Sequence, residues 1–243
     1  MLSPILRIGV TPQLTRHFVR AMATSKRIVV VGGVAGGMSA AARARRLDEQ
    51  ATITIFEKGP DPSFANCGMP YFLGGEITDR KALSVQTPTS LKNRLNLDVR
   101  VKSEVTQIDR AAKVVTVREV SAGGLSKEYQ HPYDSLILSL GAMPFKPTIP
   151  GIDRPGLLSL RNLEDMDRIH AWITSTSAKR AVVCGAGFIG VEMAEQLRHR
   201  GLDVDLVEAL PQIMAPFDPE MAAPLEDELR RHGIAVHTAS AIE

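Results

Sequence analysis

Two kinds of feature in this chain have residue types and spacings that could do chemistry. One is a cysteine set among glycines, and the other is a pair of glycine-rich turns, each following an apolar run. The cysteine is Cys67, in the segment SFANCGMPYFLGG. The thiolate is the nucleophilic form of cysteine, and a short helix beginning near Gly68 would favour it through the partial positive charge of a helix N-terminus. Spacing decides which thiol chemistry is open. A dithiol centre would show C-x-x-C or C-x-x-x-x-C, whereas Cys67 is followed by Gly68, Met69, Pro70, Tyr71 and Phe72. Cys67 would therefore act alone, as one half of a mixed disulfide or as a sulfenic acid. Cys184 lies inside AVVCGAG, which reads as a buried strand, and a free cysteine there is ordinary core filler.

The glycine turns would position nucleotides. Gly185, Gly187 and Gly190 satisfy G-x-G-x-x-G between a strand-like run (AVVC) and a helix-forming stretch (VEMAEQLRH). The first glycine permits a tight turn, the second lets backbone approach a pyrophosphate, and the third lets helix and strand pack closely. Unpaired N–H groups at the helix start would face the phosphates. Glu208 falls at the end of the next strand, DVDLVE, where a carboxylate accepts both ribose hydroxyls and repels a 2′-phosphate, favouring NADH over NADPH. An earlier turn repeats the pattern less regularly. Gly32 and Gly37 take the outer positions after RIVVV, Val34 replaces the middle glycine, Gly33 and Gly36 restore some freedom, and Glu57 ends the following strand TITIF. A Val in the middle narrows the backbone's approach. Two dinucleotide sites imply two dinucleotides, most economically a flavin and a nicotinamide nucleotide that exchange electrons.

The elements behind these residues read as α/β: two Rossmann-like dinucleotide-binding units of the three-layer ββα type, the second incomplete. Val99 to Val120 reads as antiparallel strands, Tyr133 to Leu140 as a buried strand, and Leu163 to Ile173 as a helix. Pro144 to Gly156 is rich in proline and glycine and reads as a linker, which divides the chain into residues 26–150 and 151–243 after an N-terminal extension, residues 1–25. There is no Asp or Glu from Met1 to Leu47, so residues 1–21 read either as a mitochondrial-type presequence or as a product of start-site choice, with Met22 as the first residue. The location expected is the cytoplasm, or the mitochondrial matrix if a presequence is present. A formal net charge of +2 gives no reason to expect nucleic acid or an acidic membrane surface, and no apolar run reaches membrane-spanning length. Two cysteines in 243 residues make no disulfide framework and fit a reducing compartment. The six histidines read as surface residues, and no metal site is expected.

Taken together, GGVAGGMSAAARARRL, FEKGPDPSFANCGMPYFLGG, SLGAMPFKPTIPG, LRNLEDMDRI and GAGFIGVEMAE resemble the pyridine nucleotide–disulfide oxidoreductases. The branch is the single-cysteine one of CoA-disulfide reductases, NADH oxidases and peroxidases, and persulfide or polysulfide reductases. The resemblance covers residues 26–243 and implies an enzyme that uses FAD and NAD(P)H, with Cys67 catalytic. FAD would lie on Gly32, Gly33, Val34, Ala35, Gly36 and Gly37, with Glu57 and Lys58 at its adenosine end and Val105, Ser139, Gly141, Ala142 and Arg161 also facing it. NADH would lie on Gly185, Gly187, Phe188, Ile189 and Gly190, with Glu208 at its ribose and Glu192 near the nicotinamide. Coenzyme A disulfide or a related persulfide would be held around Ser39, Arg43, Arg46, Ser63 and Asn66. Ser39, Arg43 and Arg46 fall at i, i+4 and i+7, one face of a helix. Oxidases and peroxidases of the family carry a histidine in the first glycine turn, where this chain has Ala35, so the resemblance tilts towards disulfide or persulfide reduction. The competing readings are an oxidase or peroxidase working through Cys67 sulfenic acid, and a flavoprotein reductase for a small electron-transfer partner. The resemblance further implies that the chain is an N-terminal fragment of a homodimeric protein.

Overall fold

The computed structural model describes residues 25–121 and 124–243, so the extension at residues 1–21 and His17 lie outside the described residues. In chain order the elements are β1 (Arg27–Val31), α1 (Ala35–Leu47), β2 (Thr52–Phe56), α2 (Met69–Gly74), α3 (Pro88–Leu95), β3 (Asp98–Arg100), β4 (Ser103–Asp109), β5 (Val114–Val120), β6 (Ser126–Pro132) and β7 (Ser135–Leu138). They continue as α4 (Leu163–Thr176), β8 (Arg180–Cys184), α5 (Phe188–His199), β9 (Asp203–Val207), α6 (Pro219–Arg231) and β10 (Ile234–His237). The described residues divide into two compact units. One comprises the chain through Lys58 with Leu91–Ser139, and the other comprises Gly59–Ser90 with Leu140–Glu243.

The first unit has three layers because its central strands are apolar on both faces. A parallel sheet runs in the order β3-β2-β1-β7. Ile28 and Val30 of β1 point into one core with Met38 and Ala41 of α1, Ile53 and Ile55 of β2, and Leu91 of α3. Val29 and Val31 point the other way, into a second core with Phe56, Val115, Val117 and Tyr133. Successive strand side chains alternate faces, so RIVVV fills both cores only by being apolar throughout. The second core is closed by an antiparallel sheet in the order β4-β5-β6. The segment VRVKSEV is therefore not one strand. Lys102 turns the chain with φ of 52°, so Asp98–Arg100 pairs in parallel with β2 while Ser103 opens the antiparallel sheet.

The second unit carries a parallel sheet in the order β10-β9-β8, covered by α5. Two expectations about burial fail, for one reason. Among the described residues β8 pairs with β9 alone, and its residues alternate between half-buried (Ala181, Val183) and exposed (Arg180, Val182, Cys184). Among the described residues Cys184 is exposed and not buried as the apolar run suggested. In the first unit, among the described residues, β7 pairs with β1 alone, and SLIL is half-buried and ends on an exposed Leu138. An apolar run reports a strand, but pairing on one side or both is decided by distant residues. The histidine reading also needs correction. His131 is half-buried with its ring edge-on to Phe56 at 5.2 Å, and burial, followed by the Arg100 charge, lowers its pKa. His170 is half-buried against the Phe72 ring at 5.3 Å, while His199, His232 and His237 are exposed.

Candidate functional site

The two glycine turns are built by the same devices. Gly32 and Gly185 adopt φ of 100° and 97°, a left-handed conformation that favours glycine. Their N–H groups donate to Phe56 O and Val207 O, each at 2.8 Å. A Cβ on Gly37 would lie 1.8 Å from Gly32 O, and one on Gly190 would lie 1.8 Å from Gly185 O, so helix and turn approach too closely for any side chain. The acid at the end of the second strand is held by the turn itself. Glu57 Oε2 accepts from Gly33 N at 2.6 Å, and Glu208 Oε2 accepts from Ala186 N at 2.7 Å. Glu208 Oε1 also accepts from Leu210 N at 2.9 Å. Both acids donate their own N–H to the third strand of their sheet, at Arg100 O and His237 O.

The irregularities of the first turn now have reasons. Gly33 is required because a Cβ there would lie 2.8 Å from the Glu57 Cβ. Val34 takes φ of −106° and Gly187 takes −77°, so neither middle position lies in the left-handed region that favours glycine. Both turns fit a dinucleotide. Neither α1 nor α5 has a side-chain cap at its N-terminus, whereas α4 is closed by a capping box in which Asp165 N donates to Asn162 Oδ1 at 2.8 Å. Uncapped N–H groups at a helix start suit phosphate. A Cβ placed on Gly187 would meet nothing within 4 Å, so open space faces the backbone there.

Cys67 lies in a 3-10 turn, Asn66–Gly68, immediately before α2, close to where the helix was expected, and the residue is exposed. The turn is anchored on its N-terminal side. Ala65 N donates to Leu83 O at 2.8 Å, and Val85 N donates to Ser63 O at 3.0 Å. A Cβ on Gly68 would lie 2.5 Å from Leu83 Cδ2, so the turn rests directly on the Leu83 side chain. Arg80 fixes this strap further, its Nε donating to both carboxylate oxygens of Asp167 on α4 at 2.8 and 2.9 Å. Sequence reasoning passed over this support because Arg80 and Asp167 are 87 positions apart and no spacing rule links them. Cys184, by contrast, is crowded enough by its neighbours that desolvation raises its pKa although the residue is exposed.

The remaining expected residues divide between the units. Ser39, Arg43 and Arg46 are all exposed on α1, and among the described residues neither arginine has a carboxylate partner. Arg45 between them is buried, donating to Leu95 O, Asn96 O, Asp48 O and Glu49 O, which fixes the α1 C-terminus. Lys58 is exposed, Val105 packs on the second core, and the Ser139 hydroxyl faces Gly36. These lie in the first unit with the first turn. Ser63, Asn66, Cys67, Gly141, Ala142, Arg161, Glu192 and Glu208 belong to the second. Within it Arg161 Nε donates to Ala142 O at 2.7 Å, joining Arg161 to the Gly141–Ala142 turn, and Ser63 holds φ of 50° at the start of the cysteine segment. Phe188 and Ile189 are exposed at the start of α5, where Phe188 meets Phe217 edge-on at 5.8 Å. Among the described residues no helix is long and apolar enough to cross a membrane, and no cluster of potential metal ligands occurs.

Residues 26–243 match the pyridine nucleotide-disulphide oxidoreductase family. The chain belongs to this family. Coenzyme A disulfide reductase of Staphylococcus epidermidis is 39% identical over 209 residues, 86% of this chain and 46% of that protein. Among solved structures, reduced CoADR-RHD of Bacillus anthracis superposes with a TM-score of 0.86 at 47% identity, over 90% of this chain and 39% of the other. The NAD-dependent persulfide reductase of A. fulgidus superposes at 0.82 with 36% identity, over 89% and 40%. The chain spans about half the length of the curated relatives it matches.

Proposed function

We propose that this chain supplies the nucleotide-binding turns and the redox thiol of an oxidoreductase that reduces coenzyme A disulfide, or a CoA-linked persulfide, through Cys67. The observation that carries the reading is the setting of Cys67. It is an exposed thiol on an anchored turn, without a second cysteine nearby, in a chain with two turns built for dinucleotides. The relatives named for coenzyme A disulfide and persulfide reduction support the substrate class.

FAD would be held, within the first unit, by residues 32–37 with Glu57, Lys58, Val105 and Ser139. NADH would be held by residues 185–190 with Glu192 and Glu208. The Glu208 carboxylate, pinned by two backbone N–H groups, cannot swing aside for a 2′-phosphate, which supports NADH over NADPH. For coenzyme A, the exposed guanidinium groups of Arg43 and Arg46, on the α1 face that also carries Ser39, suit its phosphates.

The protein's own chemistry is thiol exchange. The Cys67 thiolate attacks one sulfur of the CoA disulfide, a Cys67–CoA disulfide forms, the substrate S–S bond breaks, and the departing CoA thiolate takes a proton. Bound FAD and NADH would supply the two electrons that break the mixed disulfide, release the second CoA thiol and return Cys67 to its thiolate.

Steady-state assays on the whole protein with CoA disulfide test this. Cys67→Ser abolishes turnover while flavin stays bound, NADH outperforms NADPH, and Arg43→Ala raises KM for CoA disulfide about tenfold, the loss of one charged phosphate contact of ~1.4 kcal/mol. Undiminished turnover by Cys67→Ser would refute the reading. Oxygen or peroxide consumption without activity on CoA disulfide would replace it with the oxidase alternative.

A further inference from the structure

α5 does more than extend from the second glycine turn. Glu192, Gln196 and Arg200, spaced by four residues, form one stripe that engages α2 and its end, the helix that follows Cys67. The Tyr71 hydroxyl donates to Glu192 Oε1 at 3.5 Å, Gln196 Nε2 donates to Glu76 Oε1 at 2.8 Å, and Arg200 Nη1 donates to Leu73 O at 2.8 Å. The last contact places a cation on a carbonyl at the C-terminal end of α2, where charge and donor are both favourable.

Gln196 is the unusual member. It is 1% exposed, and it fits only because residue 74 is glycine, since a Cβ there would lie 1.9 Å from Gln196 Oε1. Glu76 can only accept, so it sets which way the amide faces and leaves Oε1 pointing into α2. Among the described residues, Oε1 is the one buried side-chain polar atom without a hydrogen-bond partner. Leaving such an atom unpaired costs about 1–3 kcal/mol. An apolar side chain of the same length would fill the space without that cost, so stability does not ask for glutamine here.

We propose that Gln196 and Arg200 are positioning residues for Cys67. They fix the direction and the end of α2, and with the Leu83 anchor on the other side they hold the thiol at one place and angle. The inference rests on Cys67 being the redox thiol, but its test is read on the thiol itself. In the whole protein, the alkylation rate of Cys67 by iodoacetamide is followed against pH by mass spectrometry of its peptide, which separates it from Cys184. Gln196→Met melts no lower than the unaltered protein, yet its Cys67 alkylation rate changes several-fold and its pH midpoint moves. Turnover on CoA disulfide falls about tenfold or more with KM for NADH unchanged, as expected when a reacting group is slightly misplaced. Arg200→Ala behaves likewise, and Arg200→Lys, which keeps a donor for Leu73 O, restores the original profile. An alkylation profile of Gln196→Met that superimposes on the unaltered one overturns the proposal. A Gln196→Met protein that is less stable or unfolded also overturns it, because the glutamine is then a packing element. An altered profile in a protein inactive on CoA disulfide upholds positioning and refutes the substrate instead.

Discussion

Gly33 and Gly187 belong to equivalent turns yet are glycine for different reasons. At Gly33 the reason is packing, with Glu57 Cβ 2.8 Å from where a Cβ would stand. At Gly187 a Cβ would meet nothing within 4 Å beyond its own chain neighbours, so open space faces the backbone. Gly33→Ala is expected to overpack the turn and lower stability by about 1–3 kcal/mol, seen as a lower melting temperature. Gly187→Ala is expected to keep the melting temperature and weaken NADH binding in a fluorescence titration. Equal melting temperatures for the two variants would remove the distinction. Spacing revealed both glycines and both acids, because the motif is local. It could not show that Glu57 and Glu208 are clasped by turn N–H groups, since that contact joins residues separated by a helix and a strand.

At the scale of elements, the starts of β1 and β7 are clamped by one ion pair. Arg27 Nη2 donates to Asp134 Oδ1 at 2.7 Å, and Arg27 N donates to Asp134 Oδ2, also at 2.7 Å. The Arg27 side chain, first of all, pulls the Asp134 carboxyl down to about 2 from its ordinary 3.8. A carboxyl whose pKa is lower in the folded state stabilises the fold above its unfolded pKa and loses that contribution as pH falls towards the folded value. Asp134→Asn is therefore expected to melt below the unaltered protein at neutral pH, with the gap closing between about pH 4 and pH 2. A gap that persists unchanged at pH 2 would contradict it. The pair is solvent-exposed, so the gap is expected to be small and to shrink with salt. The strands themselves were legible: RIVVV, TITIF and DVDLV appear where their apolar runs lie. β6 was missed because SKEYQHP carries little apolar alternation, and it is a strand through its seven-residue register with β5.

For the whole molecule, the chain shares the family of its curated relatives and spans about half their length. The resemblance implies a homodimer for the whole protein. Sedimentation velocity is expected to report two copies at micromolar concentration, and a concentration-independent monomer would refute it. The strap that carries Cys67 groups with the second nucleotide unit although it lies between β2 and α3 of the first in sequence. A continuous division of the chain at residue 150 does not express that interleaving.

The sequence by itself determined the two strand–turn–helix units, the acids that follow them and the solitary cysteine between, because periodicity, glycine conformation and motif spacing are local properties. Only the tertiary structure decided that Cys184 is exposed, that His131 and His170 are half-buried, and that Gln196 and Arg200 hold the cysteine helix. Each of those depends on which strand lies at a sheet edge, or on contacts between residues up to 127 positions apart. Such contacts form only after the chain has folded, when burial and pairing are set by every element together.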